Sequence, residues 1–317
     1  MIEIRELTKY YGERRAIGPL GFEIASGEIV GLLGLNGAGK TTTLRILACD
    51  LLPTSGRVLV EGLDVVEKPH EVRKRIGYLP DRPPLYDDMT VFEQLVFAAR
   101  LRGLDARQAR NGAEKAIAST GIADVAHELV GTLSHGYKQR VGIAQSMVHG
   151  PRLLILDEPI SGLDPVQIVE MRELVRSLRK DHTVLISSHI LSEISETCDR
   201  ILVIRDGEIV ASGTEKELST RLLGGMRVLV TVRGAEAKAR EALQRVAHVA
   251  SVERVDAIEA GENIVTLRVE SSKDVREELS AAVLGAGLGL IELSRSEREL
   301  ESIFLRLAGG GEQKEAA

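Results

Sequence analysis

Short, wholly apolar runs alternate along this chain with longer stretches whose apolar residues return at helical spacing. Ile2-Glu3-Ile4 and Gly21-Phe22-Glu23-Ile24 read as strands. Residues 28–33 are almost continuously apolar and predict a buried strand, and a glycine-rich segment follows directly. Residues 42–49 then predict a helix, so the local order is strand, loop, helix. From residue 89 to about 128 the pattern is helical, with Val91, Leu95, Val96, Ala99 and Ala116 as inner positions. Residues 152–156 predict a second buried strand, 165–180 an amphipathic helix and 183–187 a third strand. Strands alternating with helices predict an α/β fold with a largely parallel sheet covered on both faces.

The pattern changes near Leu223-Gly224-Gly225. Beyond that point come a strand over 228–233, a helix over 236–246, strands over 249–255 and 264–269, a helix over 274–284 and a strand over 288–293. This βαββαβ order predicts a small α+β domain of the ferredoxin-like kind. Leu300, Ile303, Phe304 and Leu307 then fall on one face of a closing helix. The expected division is 1–222 for the first domain, 226–308 for the second and 309–317 for a disordered tail.

Composition removes several function classes. Aromatic residues make up 3% of the chain and Trp is absent, which argues against a base-stacking platform. A net charge of -6 leaves no chain-wide basic footprint, so no nucleic-acid partner is expected. Cys49 and Cys198 are far apart and read as inert thiols. His70, His127, His149, His182 and His248 are scattered without ligand spacing, so no zinc site is expected. The N-terminus lacks the apolar core of a signal peptide, and no apolar run reaches 18 residues. Any action on a membrane therefore calls for a second polypeptide that supplies the spanning helices.

The chemistry concentrates in two segments. Gly34-x-x-x-x-Gly39-Lys40-Thr41 fits the phosphate-binding P-loop in full. Its glycines let backbone N–H groups turn inward around phosphates, Lys40 reaches the β- and γ-phosphates, and Thr41 offers a hydroxyl to Mg²⁺. The helix that follows presents its positive end to the same anion. Leu153-Leu154-Ile155-Leu156-Asp157-Glu158 is a buried strand ending in adjacent acids, which is costly unless a cation or a proton meets them. Asp157 fits support of Mg²⁺, and Glu158 fits the base that polarises an attacking water.

Between and around these segments the chain resembles the ATP-binding cassette (ABC) proteins over roughly residues 1–220. Leu133-Ser134-His135-Gly136-Tyr137-Lys138-Gln139-Arg140 is similar to the family's LSGGQ signature, Ser161-Gly162-Leu163-Asp164-Pro165 to its D-loop, and Ser187-Ser188-His189 to its switch histidine. Tyr11 matches the aromatic that stacks on adenine. The resemblance implies a P-loop NTPase cassette whose mostly parallel sheet is joined by antiparallel β and helical subdomains. It implies ATP and Mg²⁺ as ligands, with Gly34, Asn36, Gly37, Ala38, Gly39, Lys40, Thr41 and Thr42 around the nucleotide. It further implies that cassettes pair head to tail, as a homodimer or with another cassette. Ser134 and Gly136 would then contact the γ-phosphate held by the partner chain, while His189 would hold Glu158's water in place. Two departures stand out: His135 and Tyr137 replace a glycine and a glutamine of the signature, and Asp81 stands at the Q-loop glutamine, where it could reach Mg²⁺ through water. These departures, with Pro83-Pro84-Leu85-Tyr86-Asp87-Asp88-Met89-Thr90-Val91, resemble an exporter subgroup of gliding-motility, nitrous-oxide-reductase-maturation and multidrug type.

The expected function is the ATP-hydrolysing subunit of an ABC transporter, peripheral on the cytoplasmic face of the membrane beneath a permease. The alternative from a different class is a soluble ABC ATPase acting on nucleic acid or ribosomes. A single cassette, no heptad array and an acidic chain favour the transporter.

Overall fold

In the computed structural model, residues 1–218, 226–255 and 263–295 are described. They fall into two units, one built on Met1–Thr214 and the other within Glu215–Arg306.

The first unit opens with a long hairpin, β1 (Ile2–Tyr11) and β2 (Arg14–Ile24), then β3 (Ile29–Leu33), every residue of which is buried. Helix α1 (Lys40–Leu47) follows the glycine-rich loop, and β4 (Ser55–Val60) and β5 (Leu63–Asp64) return to the hairpin. After the short α2 (Pro69–Arg73) and β6 (Ile76–Leu79) comes a helical group of α3 (Val91–Leu101), α4 (Ala106–Thr120) and α5 (His135–Met147). The chain then re-enters the sheet with β7 (Leu153–Asp157), crosses through α6 (Pro165–Leu178) to β8 (Thr183–Ser188), makes a short α7 (Leu191–Ser195) and ends in β9 (Arg200–Arg205) and β10 (Glu208–Gly213).

Two sheets result. One has the order β10-β9-β3-β8-β7-β6 and is parallel except for β10; the other is antiparallel, in the order β2-β1-β4-β5. The central strands β3, β7 and β8 are buried along their whole length, as continuous apolar runs in a sheet covered on both faces should be. Val91, Leu95, Ala99 and Ala116 form the helical group's core with Val141 and Ala144 of α5, and Val96 packs at its edge. The helical stretch over 89–128 divides into two helices, because Gly103 turns at φ +89° and Asp105 starts the second with a capping box to Gln108. Thr90 and Glu93 cap α3 in the same way.

Five strands escaped the sequence pattern. β4 and β5 are short and half polar, and β6 has four residues interrupted by Gly77. β9 and β10 are joined by Asp206-Gly207, both at positive φ, the two-residue turn that this dipeptide favours in hairpins.

The second unit follows the expected βαββαβ order: β11 (Met226–Arg233), α8 (Glu236–Gln244), β12 (Val249–Val255), β13 (Ile264–Ser271), α9 (Arg276–Gly285) and β14 (Gly289–Arg295). Its antiparallel sheet runs β12-β13-β11-β14, the strand order of a ferredoxin-like fold. Val228, Val230 and Val232 alternate onto the face that packs with Ala239, Leu243, Leu279 and Val283 of the two helices. The 224–225 break, the closing apolar stripe at Leu300–Leu307 and the tail lie outside the described residues.

Candidate nucleotide site

Strands β3, β7 and β8 are parallel neighbours, so their C-terminal ends open on one edge of the sheet, where open α/β sheets place their ligands. The loop leaving β3 needs glycine at defined points. Gly39 sits at φ +106°, and a Cβ on Gly34 would stand 2.6 Å from the Ile204 carbonyl oxygen. Lys40, the first residue of α1, is buried and folds back so that its Nζ donates to the Gly34 carbonyl at 2.7 Å. The N–H groups at the start of α1 carry the positive end of the helix dipole towards the same space.

The register sets Asp157 at the end of β7 beside Ser187 of β8. The Ser187 hydroxyl donates to Asp157 Oδ1 at 2.6 Å and accepts the Glu158 N–H at 3.0 Å, locking both acids with one side chain. Glu158 sits at φ +50°, a left-handed position costing a non-glycine residue about 1 kcal/mol. Its carboxylate is bridged on both oxygens: Oε1 lies 3.2 Å from Lys40 Nζ, and Oε2 lies 2.9 Å from His189 Nδ1. The switch-histidine turn is tied down by Ser188, whose hydroxyl donates to the buried Glu193 and accepts the Ile190 N–H.

Asp157 is differently placed. Burial pushes its carboxyl pKa above the ordinary range, and the charges of Glu158 and Asp81 push the same way against hydrogen bonds from Ser187 and Thr41. Its Oδ2 is buried with no hydrogen-bond partner. An orphaned carboxylate oxygen beside the Thr41 hydroxyl suits a divalent cation. Among the described residues, no group of three or more His, Cys, Asp or Glu could hold a metal ion alone. A Mg²⁺ ion held here would therefore complete its shell with phosphate oxygens and water, as Mg²⁺ sites commonly do.

Lys40, Glu158 and His189 line one cleft of about 600 Å³, together with Tyr11, Asn36, Gly37, Gly39, Thr41, Thr42, Asp81 and Ser161, whereas Asp157 opens on an adjoining groove that shares Thr41 and Asp81. Tyr11 is half exposed at its mouth, with Lys9 Nζ 5.4 Å from the ring centroid. Gly34 and the buried Ala38 belong to the loop behind it. Ser134 and Gly136 do not join this cleft. Ser134 caps α5 by accepting the Tyr137 N–H, and Gly136 lines a separate groove against α6. The parts given to Ser187, Glu193 and Ser161 were not read from the sequence; only the pairing of β7 with β8 would have pointed to Ser187.

The ABC transporter family model matches residues 17–161. Over 314 residues, 98% of each chain, the sequence is 34% identical to the bacitracin transport ATP-binding protein BcrA of Bacillus licheniformis. The chain belongs to the ABC transporter ATP-binding proteins. It is equally similar, 34% over 319 residues covering all of this chain and 98% of the other, to the daunorubicin resistance ATP-binding protein DrrA3 of Streptomyces coeruleorubidus. A solved ATP-binding subunit of an ABC transporter superposes with a TM-score of 0.62 at 29% identity, covering 70% of this chain and 92% of that one. This chain is thus an ATP-binding, ATP-hydrolysing ABC subunit. Among its described residues no helix is long and apolar enough to cross a membrane.

The buried carboxylate generates a prediction. A carboxyl with a raised folded-state pKa contributes stability below its unfolded pKa, and that contribution is lost as pH rises through the folded value. Near neutral pH the ionised Asp157 therefore costs stability in the absence of a cation. Asp157→Asn should raise Tm by about 2–4 °C near neutral pH, the equivalent of a gain of 1 kcal/mol. The gain should vanish as pH falls into the ordinary carboxylate range. Thermal scans of the nucleotide-free proteins across pH check this, and a Tm at or below wild type at neutral pH refutes it.

Proposed function

We propose that this chain drives export by a separate membrane permease, with two cassettes closing head to tail on two ATP molecules. The observation that carries the chemistry is the contact of Glu158 with both Lys40 and His189 inside the P-loop cleft. In the reaction, Glu158 takes the proton of the attacking water. His189 holds the Glu158 carboxylate and the γ-phosphate in line, and Lys40 passes from the carboxylate to the β- and γ-phosphates. Thr41 and Asp157 would hold Mg²⁺, with Asp81 in reach of its water shell, and the ion would supply neutralisation of the phosphate charge. Tyr11 stacks on the adenine. Gly37, Gly39 and the N–H groups of Asn36, Ala38 and Thr42 surround the phosphates.

Ser134 and Gly136 lie outside the chain's own cleft, at the N-terminal end of α5 with Ser134 exposed. This supports pairing, since a hydroxyl and an N–H at a helix start are donors suited to a phosphate that another copy holds. The full-length likeness to proteins named for bacitracin transport and daunorubicin resistance supports export. The domain division at 1–222 and 226–308 belongs to the same reading.

The permease's cytoplasmic helix finds its seat in a second groove of about 670 Å³ that borders Asp81 and is lined by Arg73, Arg82, Arg102, Tyr78, Pro80 and Pro84. Arg73 and Arg102 donate to the Cys49 and Arg73 carbonyls, and among the described residues neither these two nor Arg82 meets a carboxylate. Burial and the charge of Arg73 pull Arg102 below its ordinary pKa. The groove also holds Asp157 and an Arg45–Asp50 pair, and it is the three arginines away from these carboxylates that suit a helix carrying Asp or Glu. Leu85 packs against the helical core, while Tyr86 remains about half exposed beside Phe97.

Glu158→Gln should bind ATP yet hydrolyse it about 10²- to 10⁴-fold more slowly. With Mg²⁺–ATP it should run as a dimer in analytical ultracentrifugation. Unchanged turnover removes Glu158 from the role of base.

For the groove, Arg73→Glu combined with Arg82→Glu should leave the purified chain folded and able to hydrolyse ATP. It should no longer co-purify with the membrane polypeptide that accompanies the wild type. Recovery of that polypeptide at wild-type yield would place the contact elsewhere.

A further inference from the structure

The departure at His135 creates a contact that a glycine cannot make. The imidazole Nε2 lies 3.1 Å from the carbonyl oxygen of Ser161. A carbonyl only accepts, so Nε2 carries the proton and donates. The ring rests against the glycine turn of the D-loop: Gly162 stands at φ +75°, and a Cβ there would be 3.4 Å from the same nitrogen. Two more contacts align α5 with α6. Gly136 is so close that a Cβ would lie 2.6 Å from Gln167 Oε1, and Arg140 Nη2 meets Glu170 Oε2 at 2.6 Å.

Ser161 also belongs to the chain's own nucleotide cleft. Its N–H donates to the Glu158 carbonyl oxygen at 3.2 Å. A single peptide segment thus runs from the main chain of the acid beside the nucleotide, through Ser161, to the imidazole of the first residue of α5. The residue immediately before that imidazole is Ser134. Neighbouring amides polarise one another along such a chain, and a displacement of the Glu158 turn is passed on as a displacement of the α5 N-terminus.

We propose that His135 is a positioning residue that couples the chain's own ATP cleft to the Ser134 it presents to the paired cassette, making hydrolysis at the two sites cooperative. This rests on the head-to-tail pairing proposed above. The link is chemical as well as steric: a donor at the Nε2 position is required, whereas bulk alone is not enough. Glutamine places an amide N–H at nearly the same distance from Cα, and alanine keeps the helix but has no donor.

The test measures steady-state hydrolysis against ATP concentration in excess Mg²⁺, with full-length wild type, His135→Ala and His135→Gln. Two coupled sites bound the Hill coefficient at about two. Wild type should show a coefficient well above one. His135→Ala should fall towards one and lose about fivefold in kcat, the scale of one neutral hydrogen bond. Its ATP affinity as a monomer should be unchanged, because the P-loop does not include His135, and His135→Gln should restore both quantities. A merely structural imidazole would lower Tm without moving the Hill coefficient, and that result overturns the proposal. So do a wild-type coefficient of one and equal losses in the Ala and Gln variants. Combining each variant with Glu158→Gln separates the two claims. If the Glu158→Gln chain stays monomeric with ATP, the pairing itself fails and this proposal falls with it. If it dimerises while His135→Ala remains as cooperative as wild type, the coupling alone is wrong.

Discussion

Two ionised carboxylates side by side at the end of a buried strand are tolerated only where something of opposite charge or a hydrogen-bond donor meets each of them. Here the meeting is divided. Glu158 is paired with Lys40 and His189, and Ser187 ties its main-chain N–H to the neighbouring Asp157. Asp157 keeps one buried oxygen without a partner. Because each partner comes from a different strand end or from the glycine loop, the parallel order of β3, β8 and β7 is what makes the arrangement possible. The ammonium that steadies Glu158 is also the cation that the loop offers to phosphate. In the proposed reaction, exchange of that partner releases the carboxylate to act on water.

The site is functional at an energetic cost, and the costs fall where chemistry needs them. Glu158 adopts a left-handed backbone, Lys40 is buried, and burial pushes the Asp157 carboxyl pKa upward. By contrast, the helical group is conventionally made, with capping boxes on α3 and α4 and an apolar core. It carries an exposed Ser134 on a well-defined helix end, outside the chain's own cleft. Under the head-to-tail pairing proposed above, a chain that keeps its phosphate loop and its signature apart supplies half of each of two sites.

Sequence made the local parts legible. The glycine loop and the apolar strand ending in two acids are each written within a few adjacent residues, and the second domain's order followed from periodicity alone. The relation between those parts was much less accessible. Ser187 acts on Asp157 only because two parallel strands share a register, and His135 meets Ser161 across 26 positions through the packing of α5 on α6. The strands β9 and β10 were missed although Asp206-Gly207 is a strong hairpin signal and Ile201-Leu202-Val203-Ile204 is a continuous apolar run; only β10 is too mixed in polarity to declare a period.

The composite site is the claim on which the account turns, and mixed cassettes test it most directly. Lys40→Ala and Ser134→Arg chains, each also carrying Glu158→Gln, are mixed with Mg²⁺–ATP and weighed by sedimentation with labelled nucleotide. Head-to-tail pairing predicts that neither chain dimerises alone, while the mixture dimerises with one trapped nucleotide per pair, because one site carries both lesions and the other carries none. A mixture that stays monomeric, or Ser134→Arg chains that dimerise by themselves, would contradict it.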